Sequence, residues 1–254
     1  MRNIIHFICF AALLFAACGT HTGTDKAIDS DSIFTDNRLP GDSTLYGLAC
    51  DGCTDSILVF LSYSGGDPDT FDIIDAFQQH RIYGRIHIGD ELGVITHPDN
   101  PKQAVMVVNM ESLKGTWCYM VTPTMRHHFD STQQNTSGHL PARMPDSIRN
   151  KLFAPREYSL RLKRDNTVST RGDRRQQSSG MSLVEYPSLR HYTEWHLWNG
   201  RIILKADTIS GITADNELPV SDTVEIGLLM RDSLILRFTD HEQSYYRKKQ
   251  SEDL

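Results

Sequence analysis

Between Thr223 and Phe238 the apolar residues step in twos: Val224, Ile226, Leu228 and Met230, then Arg231-Asp232-Ser233, then Leu234, Leu236 and Phe238. Successive side chains on a strand point to opposite sides, so this spacing is what one buried sheet face demands. Further strand-like runs are Tyr158 to Leu162, Thr167 to Thr170, Tyr192 to Trp198, Arg201 to Ala206 and Gln243 to Arg247. Asn199-Gly200 separates two of them. That dipeptide is the strongest short-range sign of a type I′ turn, because both central positions need positive φ. Sequential hairpins of this kind build an up-and-down meander, which removes its free edges by curling into a barrel. The meander starts near Leu113 with Gly115-Thr116-Trp117-Cys118-Tyr119-Met120-Val121 and contains a polar, proline-interrupted connection running through Arg149. Residues 112–250 are read as one barrel domain.

Residues 43–111 are read as a smaller β domain. Their apolar segments are short and rich in β-branched and aromatic residues: Leu45 to Leu48, Ile57 to Tyr63, Val94 to Thr96 and Ala104 to Val108. Thr70 to His80 suits either a strand or one or two helical turns, since Phe71, Ile74 and Phe77 lie three apart; Thr70 would then cap the helix. Gly65-Gly66-Asp67-Pro68-Asp69 and Gly89-Asp90 are turns by composition. The expected class is all-β with minor helix, in two small antiparallel domains.

Ahead of these domains the chain carries an address. Met1-Arg2-Asn3 is followed by a run from Ile4 to Ala17 broken only by His6, a secretory signal over residues 1–17 that is too short to span a bilayer as a helix. Phe15-Ala16-Ala17-Cys18 resembles the lipobox of bacterial lipoproteins. The resemblance implies that Cys18 is diacylated and becomes the new N-terminus. From Gly19 to Asp42, Thr, Asp, Ser and Gly dominate, so residues 18–42 read as a lipidated cysteine and a flexible tether.

The balance of 39% hydrophobic and 23% charged residues, at net charge -6, is that of an ordinary globular chain. It gives no reason to expect nucleic acid. The basic cluster from Arg161 to Arg175 contains Asp165 and Asp173 and lacks interleaved aromatics, as a solvated hairpin would.

The meander resembles the lipocalin-like domains of Bacteroidetes lipoproteins. The residues that carry the resemblance are Gly115 and Trp117; Leu160, Asp165 and Thr167; Tyr192, Trp195 and Leu197; Ile203-Leu204; Asp222 and Ile226; and Asp232, Leu234, Leu236, Tyr246 and Arg247. In lipocalins the Gly-x-Trp strand packs its Trp at the closed barrel end against a late Arg or Lys. The resemblance therefore implies Arg247 on the indole of Trp117, the alternative being a plain terminal charge. If the barrel holds a cavity, Trp195, Leu197, Ile203, Ile226 and Leu236 are the candidates to line it for a small hydrophobic ligand; the alternative is a filled core. The tether has no acidic cluster beside Cys18. By resemblance to surface-export signals of the same group, this implies an outer-membrane lipoprotein that faces the periplasm.

Cys50-Asp51-Gly52-Cys53 is the one constellation with chemical promise. A thioredoxin-type pair needs a helix N-terminus to lower its pKa, and here a strand follows. What remains is a structural disulfide, favoured in an oxidising compartment, or a soft metal such as Cu(I) held by two thiolates, with Cys118 or a histidine as third ligand. Tyr46-Gly47-Leu48-Ala49 leading into this pair resembles the start of NlpE-like envelope lipoproteins, which implies copper tolerance or envelope-stress sensing. His127-His128 on an extended segment would point to opposite sides and not share an ion. Asp67, Asp69 and Asp72 lack the spacing of a calcium loop. No hydrolase, metalloprotease or P-loop motif is present. No residue is a candidate for a catalytic role, and no cofactor is implied beyond lipid at Cys18. Three functions follow as expectations: a ligand carrier, a copper or stress sensor, or a structural lipoprotein that binds an envelope partner.

Overall fold

The computed structural model describes residues 39–125, 145–172, 184–206 and 221–248. The signal, Cys18, nearly all of the tether and His127-His128 lie outside the described residues. The described residues belong to one compact unit.

The first part contains β1 (Leu45–Ala49), β2 (Ile57–Ser62), β3 (Asp69–Asp72), α1 (Ile74–Gln78), β4 (Ile82–Tyr83), β5 (Glu91–His97) and β6 (Asn100–Asn109). β1, β2 and β3 form an antiparallel meander, β5 joins the other edge of β1, and β6 pairs with β5. A parallel bridge from Asp72 to Gln103 returns β6 to β3, so five strands run round in the order β1, β2, β3, β6, β5. That Greek-key closure, with a helix after the third strand, is the connectivity of an OB-fold barrel. Leu58, Phe60, Phe71, Ile73, Leu92, Val94 and Val107 fill it.

The ambiguous segment from Thr70 to His80 resolves into both options in turn. Thr70 lies within β3, opposite Val59, and caps nothing. Instead the Asp72 carboxylate accepts the Ile74 N–H at 2.9 Å, starting α1 just after the strand ends.

The second part contains α2 (Met110–Leu113), β7 (Gly115–Val121), β8 (Thr124–Met125), α3 (Asp146–Leu152), β9 (Arg156–Leu162), β10 (Val168–Arg171), β11 (Val184–Glu185), β12 (Tyr192–Trp198), β13 (Arg201–Ala206), β14 (Ser221–Leu229), β15 (Ser233–Arg237) and β16 (Glu242–Arg247). Eight of these strands form one antiparallel sheet in the order β10-β9-β7-β16-β15-β14-β13-β12. A bridge between Thr167 and Glu194, with the Trp195 N–H donating to Asn166 O at 2.8 Å, joins the outermost two. The expected up-and-down barrel is thus present. Asn199 and Gly200 adopt φ of 49° and 77°, the type I′ turn expected between β12 and β13.

Two expectations about inward faces need correction. The turn pairs Leu197 with Ile202 and Trp195 with Leu204, and cross-strand partners share a face. Ile202 and Leu204 therefore point inward with the two β12 residues, and Ile203, opposite His196, points out. In β14 the alternation breaks at Gly227, where a β-bulge shifts register between Ile226 and Leu228. The extra residue exchanges the faces: Leu229 is buried, while Met230 is 57% exposed.

The expected boundary between 111 and 112 runs through α2, and the two barrels meet there. Val108, Met110 and Leu113 belong to the same apolar cluster as Trp117, Trp195 and Leu197. Polar contacts fasten the seam: Trp198 Nε1 donates to Pro40 O at 3.2 Å, Asn199 accepts from Ser43 N at 2.8 Å, and the Gly84 N–H donates to Leu229 O at 3.1 Å. The Tyr46 hydroxyl lies 2.8 Å from Leu197 O.

Gly93 is one point of close approach across the seam, since a Cβ there would overlap Leu197 Cδ2 and lie 3.2 Å from Thr44 Cγ2. Gly93→Val is expected to lower stability by about 1–3 kcal/mol through overpacking. Urea titration would check this; a midpoint equal to that of the parent protein would mean that the seam is not closely packed.

Candidate functional site

The two ends of the eight-stranded barrel differ in chemistry. At the end facing the first barrel, β7 opens on Gly115, with α2 just before it. Trp117, fully buried, donates its indole N–H to Leu113 O at 2.8 Å. The guanidinium of Arg247, at the end of β16, lies 4.1 Å from the Trp117 ring centroid. The stack that the resemblance implied is therefore formed, and the reading of Arg247 as a plain terminal charge is set aside. Its fork is fully engaged: Nε donates to Arg231 O at 2.6 Å, Nη1 to Lys114 O at 2.9 Å, and Nη2 to Ser112 O. Burial pulls the Arg247 pKa below its ordinary value, with Asp232 opposing; a guanidinium still keeps its charge. Gly115, at φ 138°, lies under the guanidinium, where a Cβ would collide with Nη1.

Four of the five residues expected to line a cavity are packed into the barrel's core. Trp195, Leu197, Ile226 and Leu236 are buried within one packed cluster, and the Trp195 indole N–H donates to Lys163 O at 2.9 Å. Ile203, outward-facing, instead lines a shallow surface recess with Leu39, Pro40 and Trp198. None of the five borders the pocket at the other end.

That pocket, of about 230 Å³, lies where β7 and β10 end and β12, β14 and β16 begin. Tyr119, Tyr192, Tyr245, Phe238, Arg190 and Asp222 are among its walls. The Tyr119 and Tyr245 rings meet edge to face at 5.2 Å, and Tyr119 meets Tyr158 likewise at 5.8 Å. The Tyr192 hydroxyl donates to Asp222 Oδ2 at 2.5 Å, while Arg190 Nη1 lies 2.9 Å from Asp222 Oδ1. Phe238 stacks on His241 at 4.7 Å. Among the described residues, the hydroxyls of Tyr119 and Tyr245 make no hydrogen bond, which leaves them available to a ligand.

Burial raises the pKa of Tyr119, Tyr192 and Tyr245, and for Tyr192 the Asp222 carboxylate adds to it. All three phenols remain neutral at ordinary pH, able to donate or accept. Tyr192 and Asp222 were among the residues carrying the family resemblance, but Tyr119, Arg190 and Tyr245 were not foreseen. The usable signal was positional: each lies at or near the strand ends that gather on one side of an up-and-down barrel.

The Cys-x-x-Cys occupies the β1–β2 loop of the other barrel. Cys50 and Cys53 are free thiols, so the disulfide expected between them is not formed. Hydrogen bonds organise the loop in its place: Val59 N–H donates to Cys53 Sγ at 3.4 Å, and Cys50 N–H donates to Val59 O at 2.8 Å. Cys118 is buried in β7, where burial and then Glu157 push its thiol pKa up. Among the described residues, no three Cys, His, Asp or Glu come together as a metal site, so neither Cys118 nor a histidine joins the pair. Asp69 and Asp72 are likewise taken, by Lys102 and by the start of α1.

No protein-family model, curated protein or solved structure matches this chain.

Removing the guanidinium by Arg247→Ala forfeits the ring contact and charge-assisted bonds to carbonyls, with an expected loss of about 2–4 kcal/mol. Arg247→Lys should not restore it, because one ammonium cannot span three carbonyls. Denaturant melts of both variants would check this.

The tyrosines set a second expectation. A phenol whose folded pKa lies above its unfolded value of 10.0 contributes stability that is complete below pH 10.0 and is lost as pH rises through the folded pKa. Tyr63 and Tyr246 are pushed up to about 12, by burial and by the Glu157 hydrogen bond respectively. Stability should therefore fall above pH 10. Tyr192→Phe should weaken the protein by about 0.5–1.5 kcal/mol at neutral pH and flatten its alkaline decline. Thermal melts from pH 7 to 12 would show both effects.

Proposed function

We propose that this protein is a lipid-anchored lipoprotein of the bacterial outer membrane, facing the periplasm, and that it binds a small ligand at the tyrosine-lined end of its lipocalin-like barrel without catalysing a reaction. The observation that carries the reading is the contrast between the barrel's two ends. One is packed shut around Trp117 and Trp195, and the other keeps a pocket of about 230 Å³ with two unengaged phenols. This volume is below the usual range of drug-sized sites, roughly 300–1,000 Å³, so the ligand is about the size of a single ring. Tyrosine edges and an Arg190–Asp222 pair suit a ligand with an apolar face and hydroxyl or carboxylate groups better than a purely hydrophobic one. A docked envelope protein remains the other kind of partner that the same rim could receive.

The anchor rests on the leader and Cys18. Each buried acyl methylene adds about 0.8 kcal/mol, so two or more chains hold the protein firmly. Among the described residues no helix is long and apolar enough to cross a membrane.

A second reading, copper or envelope-stress sensing, is favoured by one observation, the free thiols of Cys50 and Cys53 three residues apart in an ordered loop. Two thiolates suffice for linear Cu(I). An anaerobic Cu(I) competition titration should give one equivalent that is lost in Cys50→Ser if this reading holds, and no difference between parent and variant if it does not.

Native mass spectrometry of protein extracted gently from membranes tests the main reading. The expected spectrum shows diacyl mass at Cys18, absent in Cys18→Ser, and a small non-covalent adduct that disappears in Tyr245→Ala and Arg190→Ala. An adduct that persists in both variants, or none in the parent, would count against the pocket.

A further inference from the structure

We infer that the cleft at the seam of the two barrels, at the opposite end from the tyrosine pocket, binds a small molecule that carries phosphate or sulfate groups. The cleft has a volume of about 760 Å³. Its walls hold six cationic side chains, Arg85, Lys114, Arg161, Arg231, Arg247 and Lys248, against three carboxylates, in a chain whose net charge is -6.

The carboxylates are already satisfied or outnumbered. Asp90 accepts from Asn109 Nδ2 at 2.7 Å and from the His87 N–H at 2.9 Å. Glu111 is shared by Lys114 at 3.3 Å and Arg164 at 2.8 Å. Asp232 lies near Arg247 and opposes the fall in its pKa. Of the cations, Arg247 is spent on Trp117 and backbone carbonyls, Lys114 on Glu91, and Lys248 on Glu157 at 2.7 Å. Arg85, Arg161 and Arg231 remain. Among the described residues their guanidiniums make no ion pair or hydrogen bond, yet they reach one concave wall from three separate chain segments.

Their backbones are held in place. Fully buried Asn109 donates to Arg85 O at 2.6 Å, Arg247 Nε donates to Arg231 O, and Arg161 pairs across the sheet with Thr116. Three forks mounted on fixed backbone, each able to bind an oxyanion with two parallel N–H groups, match a tetrahedral anion better than a lone carboxylate. A concave, low-dielectric wall also concentrates the field of its charges. Gly115 and Thr116 line the same cleft, and a concave recess suits a soluble ligand better than the flat face of a bilayer.

The test uses the whole chain with Cys18→Ser, which removes any acyl chains and lies far in sequence from the cleft. Calorimetric titration with pyrophosphate should show saturable one-site binding that weakens with added salt. The double substitution Arg85→Gln/Arg231→Gln should weaken it about tenfold or more, with the thermal midpoint unchanged as evidence of intact folding. Co-sedimentation with phosphatidylglycerol vesicles separates the alternative source of phosphate. No saturable heat, equal affinity in the double variant, or vesicle binding without pyrophosphate binding would each overturn the proposal.

Discussion

A guanidinium pressed on an indole is the contact around which the rest of the molecule is arranged. Arg247 ends the last strand of the eight-stranded barrel and Trp117 sits in its first, so their stack joins the two ends of the meander. The same side chain binds the carbonyls of Ser112, within α2, and of Lys114, which links α2 to β7. One residue thereby seals the barrel, fixes the segment that arrives from the first barrel and neutralises helix-end carbonyls. A lysine or a neutral side chain lacks the planar fork that does all three.

Closing one end decides what the other can do. Trp195, Leu204, Val224 and Leu236 fill the space above Trp117, so an apolar channel does not run through the barrel. Depth is lost, and the remaining pocket is shallow, tyrosine-rich and partly charged. The sealed end in turn creates the seam, where charged side chains from both barrels face one another across a cleft. A binding surface at each end follows from a single plug near one of them.

Much of the fold was legible because it rests on local rules. Strand-like runs marked all eight barrel strands within a few residues, step-of-two patterning identified two of them, and Asn199-Gly200 announced its turn. The errors are instructive. Ile203 was assigned to the interior although the two-residue turn, once accepted, pairs Trp195 with Leu204 and so sends Ile203 outward. The bulge at Gly227 was hidden in an alternation that looked unbroken through Met230. Closure of the first barrel was invisible, because it depends on a parallel bridge between residues far apart in sequence. α3 lay in a stretch read as irregular connection. The pocket could not be read at all beforehand: it arises where five strand ends converge, and no local motif encodes convergence. The Cys-x-x-Cys was conspicuous, yet its state depends on redox conditions as much as on residue type.

The central claim, that the barrel is filled at the Trp117 end and open at the tyrosine end, is most directly tested by solvent paramagnetic relaxation of the side-chain aromatic and indole NMR signals, using a soluble, uncharged nitroxide. The account predicts strong broadening of the Tyr119 and Tyr245 ring resonances while the Trp117 and Trp195 indole signals stay sharp. Broadening of Trp195 together with the tyrosines would reveal a channel through the barrel and contradict the account, as would tyrosines as silent as the tryptophans.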